Sequence, residues 1–166
     1  MFAVQGYQKK EILISDLLRA DSFSSSSVNY QNTALIKRYA QYSPSIAYVS
    51  RPQLKLAGLR LNPANYRSIS DAYINRLLYF DLSSRADQEI KFPKNTIVGK
   101  ISWSESGKNL LVGVETSKCY QLWIVEIPSL AKKQITGLCM NQVLDKGFYW
   151  INDAEILISK RTTEQT

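Results

Sequence analysis

One stretch of this chain occurs twice. The segment beginning at Ile101, ISWSESGKNLLVGV, is matched by FYWINDAEILISKR beginning at Phe148, which places Trp103 on Trp150, Glu105-Ser106 on Asn152-Asp153 and Leu110-Leu111 on Leu157-Ile158, at a spacing of 47 residues. In each copy an apolar run ends on tryptophan, turns through small polar residues and resumes as an alternating strand. This is how a β-propeller blade begins, a four-stranded antiparallel sheet of roughly 40–50 residues that recurs at least about four times in a closed ring. The expected fold is therefore mainly β, an incomplete N-terminal propeller over residues 1–166. Within it, 1–27 is a helix and Ser-rich lead-in, 28–94 a first blade region, 95–136 a complete blade and 147–160 the start of the next.

The pattern along the chain supplies the details. Glu11 to Ala20 carries Ile12, Leu13, Asp16 and Leu17 at helical spacing and predicts one short helix. Asp21 to Ser27 reads as a flexible or turn segment. Strands are expected at Thr33 to Tyr39, Ser45 to Val49 and Ile74 to Leu82. The complete blade is expected as Ile97 to Trp103, a tight turn over Ser104 to Gly107, Lys108 to Val114, Tyr120 to Ile127 and Lys132 to Ile135. A last strand spans Ile156 to Ile158. Ile101, Trp103, Leu111, Leu122 and Ile124 are expected to meet neighbouring blades, with Trp103 and Trp123 largely buried.

Histidine is absent from the whole sequence. That excludes Ser-His-Asp and Cys-His catalysis and the histidine-containing zinc sets. Cys119 and Cys139 are too few and too far apart for paired C-x-x-C zinc binding. They are read as two buried thiols acting as small hydrophobes, with a disulfide as the alternative. The net charge of +7 comes from basic residues scattered along the chain, with only short pairs such as Lys37-Arg38. Nucleic-acid binding calls for a cluster or stripe, so a solvated basic surface is the preferred reading. No apolar run approaches 18 residues, so no transmembrane helix is expected. The N-terminus lacks the order of a signal peptide, so the chain as written is expected to stay in the cytoplasm where it is made, with export of a longer form as the alternative.

Three stretches, in order, resemble the N-terminal region of prolyl-oligopeptidase-type serine peptidases, the glutamyl endopeptidase-like branch in particular. These are GYQKKEI at Gly6 to Ile12, RPQLKLAGLRLNP at Arg51 to Pro63, and WSESGK at Trp103 to Lys108 followed by QLWIVEI at Gln121 to Ile127. Met140-Asn141 and Trp150 with Asp153 stand where that branch has its LN and WxxD. In RPQLKLAGLRLNP, the alternative to a family signature is a loop and strand whose Leu54, Leu56, Leu59 and Leu61 are plain core, bent at Gly58. The resemblance implies a propeller that restricts peptide access to an α/β-hydrolase domain bearing a Gly-x-Ser-x-Gly elbow. SESG at Ser104 to Gly107 joins two antiparallel strands and is no such elbow. The chain is accordingly expected to be non-catalytic, with no catalytic, cofactor-binding or metal-ligating residue and no cofactor. The partners implied are a peptide substrate, the hydrolase domain and other copies of the chain, with neither nucleic acid nor membrane. A free-standing propeller-blade module for protein–protein interaction is the alternative.

Overall fold

The computed structural model describes residues 20–41, 46–69, 73–143 and 147–161. The protein is mainly β, built from antiparallel sheets that do not close on themselves. The helix expected at Glu11 to Ala20 and the GYQKKEI stretch lie outside the described residues, save Ala20.

A first four-stranded sheet consists of β1 (Ser22–Val28), β2 (Ala34–Gln41), β6 (Tyr73–Asp81) and β7 (Ala86–Ile90), each pairing with the next. A second, β8 (Ile97–Trp103), β9 (Asn109–Glu115), β10 (Tyr120–Glu126) and β11 (Lys132–Gln134), is a meander in chain order. A single pair, Ile74 with Val98, hydrogen-bonds the start of β6 to β8 and links the two into one eight-stranded sheet. Between β2 and β6 the chain makes one helical turn, α1 (Ile46–Val49), and a small sheet of β3 (Leu54–Leu56), β4 (Leu59–Asn62) and β5 (Arg67–Ser68). A two-stranded ribbon, β12 (Phe148–Trp150) with β13 (Ile156–Ile158), follows.

The core has two layers because β9 is apolar on both faces. Leu110, Val112 and Val114 share a core cluster with Ile36, Leu77 and Ile90 of the first sheet, with Trp103 of β8 beside them. The alternate residue Leu111 packs with Leu122, Tyr120, Met140 and Phe148, under Trp150, Ile156 and Ile158. A strand buried on both sides reads as a near-continuous apolar run, as LLVGV does. Ile101 and Trp103 thus contact one neighbouring sheet, and Leu111, Leu122 and Ile124 the other. Trp103 is buried, whereas Trp123 is only half-buried.

The internal repeat is repeated in three dimensions. The Trp103 indole donates to the Ser27 carbonyl of β1 at 3.2 Å, and the Trp150 indole donates to the Ser102 carbonyl of β8 at 3.0 Å. Ser27 precedes Val28, which faces Leu35, just as Ser102 precedes Trp103, which faces Leu110. A third copy of the motif therefore begins at β1, with valine in the tryptophan position. The turns also touch in sequence. Gln31 donates to the Glu105 carbonyl at 2.6 Å, and the Ser106 amide and hydroxyl donate to Asp153 at 3.0 and 2.8 Å. Gly107, at φ +70°, lies close to Asn29 and Gln31, so a side chain there would collide with the preceding turn.

Four expectations are corrected. Asp21 to Ser27 is no flexible segment: β1 is hydrogen-bonded along β2, and pairing outweighs the turn preference of serine. Ser45 to Val49 contains α1 in place of a strand. Leu54, Leu56 and Leu59 are exposed and only Leu61 of the four is core, because the β3–β4 hairpin, turning at Ala57-Gly58, projects with both faces uncovered, Lys55 and Arg60 being exposed too, and only its β5 end is buried. Finally, the second copy of the repeat has the shorter turn. Ile156, not Leu157, faces Trp150 as Leu110 faces Trp103. One residue of slip reverses the faces of a strand, and Leu157 is accordingly exposed where Leu110 is buried.

Candidate functional site

Two neighbouring features bring charged side chains together: a buried carboxylate at the end of β9 and a groove where the first and second sheets meet.

Glu115 closes the apolar run of β9 and is buried. Its carboxylate accepts from Asn65 at 2.9 Å and from the Tyr48 hydroxyl at 3.3 Å, forms an ion pair with Arg67, and lies 3.7 Å from Arg51. All four partners belong to the segment from α1 to β5, so this carboxylate anchors the inserted hairpin to the end of the second sheet. Burial opposes the charge on Arg67, but Glu115 together with the Tyr120 and Tyr48 phenols outweighs it and the guanidinium titrates above its ordinary range. Burial first, and the Glu115 charge second, push the Tyr48 phenol well above the usual tyrosine range.

The groove, of about 560 Å³, has Ile74, Val98 and Ile101 as its apolar floor and Ser24, Ser25, Arg38, Arg67, Lys100 and Gln142 around it. Two irregularities shape it. Ser24 is an extra residue in β1, and Gly99-Lys100 stand opposite the single Gly113 of β9. Such bulges bend a strand and re-aim its side chains. Gly99 is required because a Cβ there would overlap the Tyr120 hydroxyl, which accepts from the Lys100 amide at 3.1 Å. Lys100 extends over the Tyr149 ring at 4.0 Å and donates to the Phe148 carbonyl. Arg38 occupies the face of β2 that carries Ile36 into the core, and its Nε is buried without a hydrogen-bond partner. Desolvation lowers its pKa.

A second hollow of about 740 Å³ lies beside Tyr48, Tyr73, Arg51 and Phe92. Its arginine is already engaged, stacked at 4.6 Å over Tyr48 and paired with Glu115.

The serines of the SESG turn are held by local bonds. The Ser106 amide first, and its hydroxyl second, donate to Asp153 and keep that carboxyl below its usual range, and the Ser104 hydroxyl accepts from the Asn109 amide. Trp150 and Asp153, matched to the family's WxxD, both bridge back to the preceding copy of the motif. RPQLKLAGLRLNP forms the β3–β4 hairpin, with Arg51 reaching Glu115. Cys119 and Cys139 form a disulfide, their Cα atoms 5.3 Å apart, which corrects the reading of two free thiols.

Sequence reading missed Arg38 and Glu115. The first had a signal: strict alternation through Ala34, Ile36 and Ala40 puts position 38 on the buried face, where a cation is out of place. The second is an acid ending an otherwise apolar strand. Compared with known proteins, the chain matches no family model and no curated protein.

Proposed function

We propose that this chain is the non-catalytic propeller portion of a serine peptidase of the prolyl-oligopeptidase type, glutamyl endopeptidase-like, which restricts peptide access to an α/β-hydrolase active site. The observation that carries this reading is the recurring indole-to-carbonyl bond. Trp103 to Ser27 and Trp150 to Ser102 relate each sheet to the one before by the same contact. Sheets stacked face to face by one repeated operation are the plan of a propeller, and the Trp103 and Trp150 of the quoted motifs make the repeated contact. The hydrolase activity belongs to a domain with its own elbow and histidine, so this chain contributes selection by size rather than chemistry. The alternative, a free-standing interaction module, is favoured by the exposed leucines of the β3–β4 hairpin, an apolar face suited to a protein partner.

Sequencing the transcript that encodes the chain separates the two. The peptidase reading expects further Trp-and-turn repeats and a Gly-x-Ser-x-Gly elbow in the same or an adjacent reading frame. A transcript with neither overturns it in favour of the module. Exposing the purified chain to a fluorophosphonate and to fluorogenic peptides tests the non-catalytic assignment. No label and no turnover are expected, whereas stoichiometric labelling of Ser104 or Ser106 would refute it.

A further inference from the structure

We propose that the groove between β1 and β8 is an oxyanion-binding site, with Arg38 as its principal ligand, for a small molecule bearing a carboxylate or phosphate group. The chief reason is the isolation of Arg38. Four other cations have carboxylates, since Arg67 and Arg51 share Glu115, Lys37 lies 2.8 Å from Asp87, and Arg76 lies 3.7 Å from Glu89, while Lys100 and Arg161 donate to the Phe148 and Ala64 carbonyls. Arg38 has no carboxylate within ion-pair distance among the described residues, and its cross-strand neighbours are Ser25 and Leu77, neither of them acidic. A guanidinium set on the core-facing side of a strand, with its Nε out of water and unbonded, is costly unless an anion joins it.

The surroundings suit an anion. Ser25 stands directly opposite Arg38, and the Ser24 bulge opens β1 beside it. The second bulge, at Gly99-Lys100, sets Lys100 on the opposite wall, where its ammonium is engaged by the Phe148 carbonyl and the Tyr149 ring and adds positive charge beside the groove, and the lining residues Ile74, Val98 and Ile101 are apolar. A planar guanidinium forks onto carboxylate or phosphate oxygens by two parallel bonds, and a low-dielectric floor strengthens them. Because the groove is formed by strands already in place, the site does not depend on whether the sheets belong to a closed ring.

The test is an amide-resolved NMR titration of the whole protein with inorganic phosphate and, separately, with succinate. Saturable shifts confined to the residues around Ser24, Arg38 and Gly99 are expected with at least one of them, and the stronger binder identifies the oxyanion preferred. Saturation with neither overturns the proposal. Arg38→Gln should weaken binding about tenfold or more, while Arg85→Gln, in the exposed β6–β7 turn, leaves it unchanged. Ser25→Asp supplies a carboxylate opposite Arg38 from the chain itself, so it should raise Tm and abolish binding. If Arg38→Gln does not fold, Ser25→Asp decides: a variant that still binds, or one whose Tm falls, refutes the site.

Discussion

Glu115 and Arg67 are the residues whose mutual dependence is easiest to measure. The carboxylate is 2% exposed and the arginine 7%, so neither charge can fall back on water if the other is removed. Breaking a buried pair from one side costs about 3–5 kcal/mol, because the remaining charge keeps its desolvation and loses its partner. Glu115→Gln preserves shape and the bond from Asn65, and it should lower Tm by on the order of 10 °C for a chain of this size. It should also release the inserted hairpin before the sheets melt, seen as loss of amide-exchange protection at Leu61 and Arg67 ahead of Val112. A variant melting as one unit at the wild-type temperature would mean that Asn65 and packing alone hold the insertion. Gly113 is constrained differently. Its missing side chain makes room for the Tyr120 phenol, so even alanine would have to displace a fully buried ring.

At the scale of elements, the disulfide stands out because it ties β10 to the segment leading to the ribbon. Cys119 precedes β10 and Cys139 adjoins Met140, whose amide donates to the Tyr120 carbonyl at 2.8 Å. The bridge spans 20 residues of sequence, and closing such a loop in the unfolded chain is worth about 3 kcal/mol. Reduction, or Cys139→Ala, should therefore lower Tm and loosen Phe148 and Trp150 first, read as a shift in tryptophan emission. An unchanged melt after complete reduction would remove the bridge from the stability of the fold.

The elements also divide by how legible they were. The strands from Ile97 to Gln134 were readable because tryptophan, tight turn and apolar alternation agree there, and each strand lies beside its neighbour in sequence. β1 was not, since serines carry no apolar period and its pairing with β2 is decided by the backbone. Nor was the hairpin at Leu54 to Leu61: four leucines look like core, yet exposure depends on which neighbour covers that face, and no local pattern records it. The disulfide required knowing that β11 and the following turn bring residue 139 back beside residue 119. Of the candidate site, Arg38 was written into the alternation of β2, while the groove depends on two bulges that only the assembled sheets reveal.

For the molecule as a whole, stacking governs behaviour in solution. Each sheet buries one face against the next, and the ribbon of β12 and β13 follows the same rule: Phe148, Trp150, Ile156 and Ile158 pack inward on the second sheet. Its opposite face holds the cross-strand pair Tyr149 and Leu157, 38% and 59% exposed, beside Ile151 at 62%. An apolar face next to a short two-stranded ribbon favours association, since a second copy would take that face out of water. Light scattering across a concentration series should give a mass that rises with concentration, together with binding of a hydrophobic dye. Leu157→Lys, on the outward face and away from the core, should restore the monomer and leave Tm nearly unchanged. If the wild-type chain remains a monomer at every concentration and binds no dye, the outer face of the ribbon is not an association surface. If instead Leu157→Lys leaves association intact, the contact lies elsewhere, and the exposed leucines of the β3–β4 hairpin become the surface responsible.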